Sequence, residues 1–185
     1  ALRQLQETLF ADLAVFHNRF RDLLSLEPGT PFQEGERIIL PLVERNLTKG
    51  RAYGAEISLE LRATDRLRTN VGYSYLNLSL EPDAGSRDTT QSRTAGASPR
   101  HTVFVRPSFS LSPGLELSGS LRWVDALPSQ SVPSYAEADL RIAWRPRPSL
   151  ELSLIGRDLL HARHREFGSV AEIQRTVFGR LKWNF

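Results

Sequence analysis

The last stretch of the chain, "QRTVFGRLKWNF", alternates between apolar and polar residues with a period of two. Ile173, Val177, Leu181, Trp183 and Phe185 share one parity, interrupted by Arg175 and Gly179. Gln174, Thr176, Arg180, Lys182 and Asn184 take the other, with Phe178 as its exception. Successive side chains of a β-strand point to opposite faces, so this period means a strand with one apolar and one polar side. Chain ends are usually frayed and polar. This one is patterned to its last residue and stops on an aromatic.

The same alternation recurs upstream. Leu150, Leu152 and Leu154 oppose Glu151, Ser153 and Arg157. Ala136, Ala138, Leu140, Ile142 and Trp144 oppose Tyr135, Glu137, Asp139 and Arg141. Leu115, Leu117, Leu121 and Trp123 oppose Glu116, Ser118, Ser120 and Arg122, and Val103, Val105, Phe109 and Leu111 oppose Arg106, Ser108 and Ser110. Leu67, Val71, Tyr73 and Tyr75 oppose Arg68, Asn70 and Ser74, and Tyr53, Ala55, Ile57, Leu59 and Leu61 oppose Glu56, Ser58, Glu60 and Arg62. Leu9, Ala11, Leu13 and Val15 form a similar face near the start, which makes eight expected strands.

Connections alternate in length. Residues 63–66, 111–114 and 145–149 are short, with Pro, Gly or Asp supplying turn chemistry. Residues 27–35, 81–99, 126–134 and 161–170 are longer and polar. Short turns at one rim and long loops at the other are the asymmetry of an outer-membrane barrel. Trp144, Trp183 and Phe185 fall near the short-turn ends, Tyr75 and Trp123 near the long-loop ends, as two interfacial girdles require. A soluble sandwich or lipocalin-like barrel also alternates, but its second face is a dry interior. Here that face is rich in Arg, Glu, Asp and Ser, which favours a membrane barrel with a wet lumen. The expected fold class is therefore all-β, an antiparallel up-and-down transmembrane barrel segment of about eight strands.

Composition narrows the function. At 185 residues and 40% hydrophobic, the chain has no apolar run long enough for a transmembrane helix, which needs about 20 residues. Transmembrane strands leave no such signal. The chain has no cysteine, hence no disulfide framework and no thiolate metal site. A net charge of +3, spread along the chain, gives little support for nucleic-acid binding, and none is expected.

Candidate sites are few. His161 and His164 form H-x-x-H with Glu166 nearby. On a loop that spacing fixes no third ligand, so they read as solvated histidines and no metal or cofactor is expected. His17 and His101 carry no pattern. Glu137/Asp139 and Glu56/Glu60 sit at alternating strand positions, so they read as lumen charges balanced by Arg62, Arg122, Arg141 and Arg157 rather than as catalytic pairs. No nucleophile elbow, Walker loop or dinucleotide fingerprint is present, and no enzyme is expected.

Five segments, in order, resemble one family. "NLTKGRAYGAEISLEL", with Asn46, Gly50, Ala52, Gly54 and Glu56, is similar to a late-barrel strand of TonB-dependent outer-membrane receptors. "LRTNVGYSYLNLSL" resembles the strand after it, "SPRHTVFV" the entry to the next, and "VPSYAEADLRIAWRP" a further one. "LELSLIGRDLLHARHREFGS" with "QRTVFGRLKWNF" resembles the closing hairpin. Asp158 stands where the family usually has Asn, and His164 where it has Tyr; both positions fall at the outer loop. The resemblance covers roughly residues 8 to 185.

The resemblance implies residues 1–185 as the C-terminal portion of a barrel of about 22 strands, lacking its plug domain. It implies a bacterial outer-membrane receptor for active uptake of a scarce ligand such as a ferric siderophore. Its partners would be outer-membrane lipid, the TonB complex acting through the plug, and the barrel-assembly machinery. That machinery would read Leu181, Trp183 and Phe185 as a C-terminal signal. The alternative is a complete eight-stranded barrel with a structural or interaction role. Strand length separates the two, because residues 36–62 run without a clear turn signal and exceed the span of a bilayer.

Overall fold

Period-two patterning with short turns leaves antiparallel neighbours as the only economical pairing, and that is what forms. The structure, a computed structural model, describes residues 8–90, 94–168 and 171–184. In chain order the strands are β1 (Leu9–Pro28), β2 (Phe32–Glu34), β3 (Arg37–Ile39), β4 (Leu42–Arg62), β5 (Leu67–Pro82), β6 (His101–Ser112), β7 (Leu115–Val124), β8 (Tyr135–Arg147), β9 (Leu150–Arg157), β10 (Arg163–His164), β11 (Ile173–Gln174) and β12 (Thr176–Trp183). One sheet holds eight of them in the order β1-β4-β5-β6-β7-β8-β9-β12. Each is antiparallel to its neighbour in sequence. Two small hairpins, β2–β3 and β10–β11, sit in the long connections.

Register places apolar residues opposite one another across the whole sheet. One row runs Leu13, Ile57, Tyr73, Val103, Trp123, Ala136. Another runs Leu115, Trp144, Leu152, Leu181. A one-residue slip in any pair would carry its apolar set to the polar face. This apolar face is uncovered: Trp144 is 53% exposed, Leu154 55% and Leu181 63%. The buried hydrophobic residues are only Ala52, Val124, Leu127, Val132 and Ala143 among those described. A sheet with so small a core and so wide an apolar face matches a wall whose outer solvent is hydrocarbon.

The short connections lie at 63–66, 113–114 and 148–149, where the sequence placed them, with the strands running one or more residues further into two of them. In the first, Thr64 Oγ1 accepts hydrogen bonds from the amides of Arg66 (3.2 Å) and Leu67 (3.0 Å). In the second, Gly114 takes φ +78, and a Cβ there would lie 2.7 Å from the Arg145 carbonyl oxygen. Only glycine fits that turn without strain.

Three expectations need correction. β1 runs 20 residues, well past Val15, because Arg19–Leu26 still pairs with β4 across two bulges where the alternation loses phase. The extended run expected over 36–62 breaks at Leu40 and Pro41; residues 37–39 belong to β3, and β4 starts at Leu42. Ile173 and Gln174 do not continue the last strand but pair with Arg163 and His164, and β12 starts at Thr176. β4 is nevertheless 21 residues long and β5 16, against about 9–11 for a bilayer-spanning strand. At the other side of the sheet β9 and β12 have 8 each.

The outer strands β1 and β12 do not pair with each other. The sheet is open, with one free edge on each.

Candidate functional site

The polar face carries two charged clusters. The first lies near the short-turn ends of β7, β8 and β9. Arg141 Nη2 donates to Glu151 Oε1 at 2.7 Å and its Nη1 lies 3.7 Å from Glu116 Oε1. Arg145 reaches the same two acids, Nε to Glu151 at 2.8 Å and Nη1 to Glu116 at 3.4 Å. Two guanidiniums cross-linking two carboxylates on three strands form a rung that neutralises the wall. Arg62 lies 3.8 Å from Glu60, as a balancing charge should. Arg157 instead stacks over Phe178 at 5.5 Å, which explains the apolar exception on the polar face of β12.

The second cluster lies at the long-loop ends of β7 and β8, where residues after β9 fold back on the wall. Strand parity sends Glu137 to the polar face, and the returning loop buries it to 3% exposure. His161 Nδ1 lies 2.5 Å from Glu137 Oε1, and the Leu160 amide donates to Oε2 at 3.3 Å. The two-residue bridge of β10 with β11 makes the backbone at His164 extended. The His164 ring is packed inward, its side chain 7% exposed. Its Nε2 lies 2.8 Å from Glu166 Oε1. Glu166 in turn takes both terminal nitrogens of Arg122, whose Nη1 also donates to the Tyr135 hydroxyl at 3.2 Å. Asp158, at φ +54, donates its amide to Asp139 Oδ1 at 3.0 Å.

Two of these acids lie beyond the strands and are perturbed in opposite directions. Burial pushes Glu166 up, but the hydrogen bonds from Arg122 and His164 outweigh it and hold the carboxyl below its usual range. Burial raises Asp158, the neighbouring Asp139 charge raises it further, and His164 offsets only part. His164 Nδ1 is 3.2 Å from Glu137 Oε1, yet it is buried, out of line for a hydrogen bond, and has no hydrogen-bond partner. Glu137, Asp158 and His164 each offer one ligand-type atom, all within 4.8 Å of one another.

His164 is therefore not the solvated loop residue its spacing suggested, whereas His161 is half exposed. H-x-x-H with a following Glu was the legible signal. Glu137 comes from a strand 24 residues away from His161, and no spacing rule connects them. His101, which carried no pattern, joins an aromatic group on the apolar face: its ring lies 5.1 Å from Tyr75, and the Tyr73 hydroxyl is 2.8 Å from its Nδ1. Tyr53 packs edge-on to Tyr75 at 6.2 Å, completing a girdle toward the long-loop rim. Glu56 Oε1 accepts a hydrogen bond from Ser74 Oγ at 3.4 Å. Leu181 and Trp183 stand on the exposed apolar face of β12, paired with Leu152 and Leu150. Phe185 lies outside the described residues.

Residues 2–159 match the family model described as TonB dependent receptor-like, beta-barrel. No curated protein matches the sequence. Among solved structures, the chain is similar to the FrpB iron transporter of Neisseria meningitidis, at TM-score 0.78 and 16% identity, over 99% of this chain and 30% of that one. The ferric enterobactin receptor PfeA, solved with BCV-L6, gives TM-score 0.73 and 18% identity over 99% and 30%. The copper transporter OprC gives 0.69 and 13% over 99% and 31%. The chain thus spans under a third of the length of each of these three.

Proposed function

Because this chain belongs to the TonB-dependent receptor β-barrel family, we propose that it is the C-terminal part of the barrel of an outer-membrane uptake receptor. The observation that carries this reading is the open eight-stranded meander, similar over nearly its whole length to part of each of those larger barrels. Its cargo is a scarce ligand such as a ferric siderophore, since FrpB is named an iron transporter and PfeA a ferric enterobactin receptor. Uptake draws its energy from the TonB complex acting on a plug contributed by the rest of the protein. The charged rungs on the polar face wet and neutralise the lumen wall; the receptor binds and passes a ligand rather than transforming one. Leu181, Trp183 and Phe185 serve as the signal that the barrel-assembly machinery reads on the edge strand. A closed small barrel is the poorer reading, because β1 and β12 leave their edges free.

The test is uptake by cells carrying the complete gene or its deletion. Accumulation of iron-55 from a panel of ferric catecholate and hydroxamate chelates should fall in the deletion strain. It should fall equally when TonB is removed. Unchanged accumulation of every chelate overturns the ferric-siderophore reading.

A further inference from the structure

We propose that Glu137, Asp158 and His164 form a binding site for a first-row divalent cation of the zinc class, set in the lumen wall where the β9–β12 connection meets β8. The site stands on the geometry of that wall and holds whichever cargo the receptor carries.

His164 Nε2 is engaged by Glu166 Oε1 at 2.8 Å, and Arg122 holds that carboxylate in place. The other ring nitrogen, Nδ1, is buried, has no hydrogen-bond partner, and lies 3.2 Å from a carboxylate oxygen of Glu137. A buried polar atom left unpaired is costly, and a cation shared with the Glu137 oxygen would satisfy it. A carboxylate that holds the remote nitrogen of an imidazole is the arrangement that orients histidine ligands toward metals. Glu166 occupies that position here.

Charge points the same way. Glu137, Asp139, Asp158 and Glu166 bring four carboxylates together, and the only cationic side chain hydrogen-bonded into the group, among the described residues, is Arg122. Four carboxylates to one guanidinium leave the wall acidic, and a divalent ion would offset that charge.

One imidazole with two carboxylates suits zinc, manganese or ferrous iron rather than calcium or magnesium, which favour oxygen alone. The ligand atoms lie within 4.8 Å of one another, against roughly 3.4 Å around a tetrahedral zinc with bonds of about 2.1 Å, so binding would draw the Asp158 and Glu137 side chains inward. The ion would clip the β9–β12 connection to the wall.

The full-length membrane protein, in detergent and stripped with EDTA, is titrated with zinc against a chromogenic chelator. Wild type should hold one zinc equivalent more than Asp158→Asn or His164→Gln, with all three keeping the heat-modifiable mobility of a folded barrel. Equal stoichiometry in the three folded proteins overturns the proposal. Zinc-edge anomalous diffraction from crystals of the unmodified protein decides the matter even if the variants fail to fold. A peak bonded to His164 Nδ1 is expected, and no peak there overturns the site.

Discussion

The Phe104 ring covers Gly72 on the neighbouring strand, so close that a Cβ added at Gly72 would meet Phe104 Cε1 at 2.2 Å. The two are register partners of β5 and β6, and Phe16 on β1 stands over Gly54 of β4 in the same way. An aromatic shielding a glycine in mid-strand compensates for the side chain the glycine lacks. Gly72→Ala should therefore destabilise the barrel by about 1–3 kcal/mol through overpacking. Urea unfolding of the whole receptor in lipid reads the change. Gly72→Ala combined with Phe104→Leu should recover part of the loss, which separates a clash from a general dislike of alanine at that position.

Leu152 lies in the apolar row between Trp144 and Leu181. If this row faces hydrocarbon, Leu152→Arg should cost about 2–4 kcal/mol near the bilayer midplane. Arginine at Ser118, on the opposite parity of β7, should cost much less in the same refolding assay. Equal costs at the two positions would contradict the assignment of faces.

Asp88 ties the β5–β6 connection to β1. Its Oδ2 accepts the Leu26 amide and its Oδ1 the Thr90 amide, each at 2.7 Å. The Leu26 hydrogen bond lowers the carboxyl below its ordinary value, burial opposes this, and Thr90 adds to the lowering. A depressed folded pKa stabilises the loop above the ordinary pKa of about 3.9, and that contribution is lost as pH falls through the folded value. Protection of the Leu26 and Thr90 amides, measured against intrinsic exchange at each pH, should thus fall below about pH 4. In Asp88→Asn the exchange should already be fast at neutral pH and should lose this dependence on acid.

The free edges of β1 and β12 each present a row of unpaired amides and carbonyls, which hydrocarbon cannot satisfy. Expressed alone, residues 1–185 should aggregate or oligomerise, without the faster unboiled mobility of a closed barrel on a gel. A heat-modifiable monomer band would show that the two edges can close on each other.

What the sequence revealed and what it hid follow from one distinction. Strand identity, pairing order and facing are all consequences of side-chain parity, and parity is local. Leu140, Ile142, Leu152 and Leu154 could be assigned to the apolar face from four-residue windows, and their exposure agrees. The second half of β1 was missed because two bulges and the positive φ of Asp22 break the phase that the alternation depends on. The wall cluster was missed for a different reason. Glu137 is brought to His164 by a connection that folds back on the barrel, and Arg122 reaches Glu166 across 44 positions of chain. Such meetings depend on loop trajectory, which no periodicity encodes.

The taper of the sheet, from strands of 20 and 21 residues to strands of 8, means that this chain folds in two solvents. Its lower band can rely on hydrocarbon, where leaving any backbone hydrogen bond unmade is prohibitive. The upper reaches of β1, β4 and β5 exceed the roughly 9–11 residues that cross a bilayer; outside it the same bonds compete with solvent and the ladder alone is marginal. That is where the buried polar residues Ser25, Glu27, Thr48 and Asp88 collect, with Glu27 accepting from Ser86 and the Arg87 amide. The tall side of the wall thus behaves as a small aqueous domain grafted on a membrane one, and it should soften first when detergent, salt or acid changes while the lipid-bound base holds.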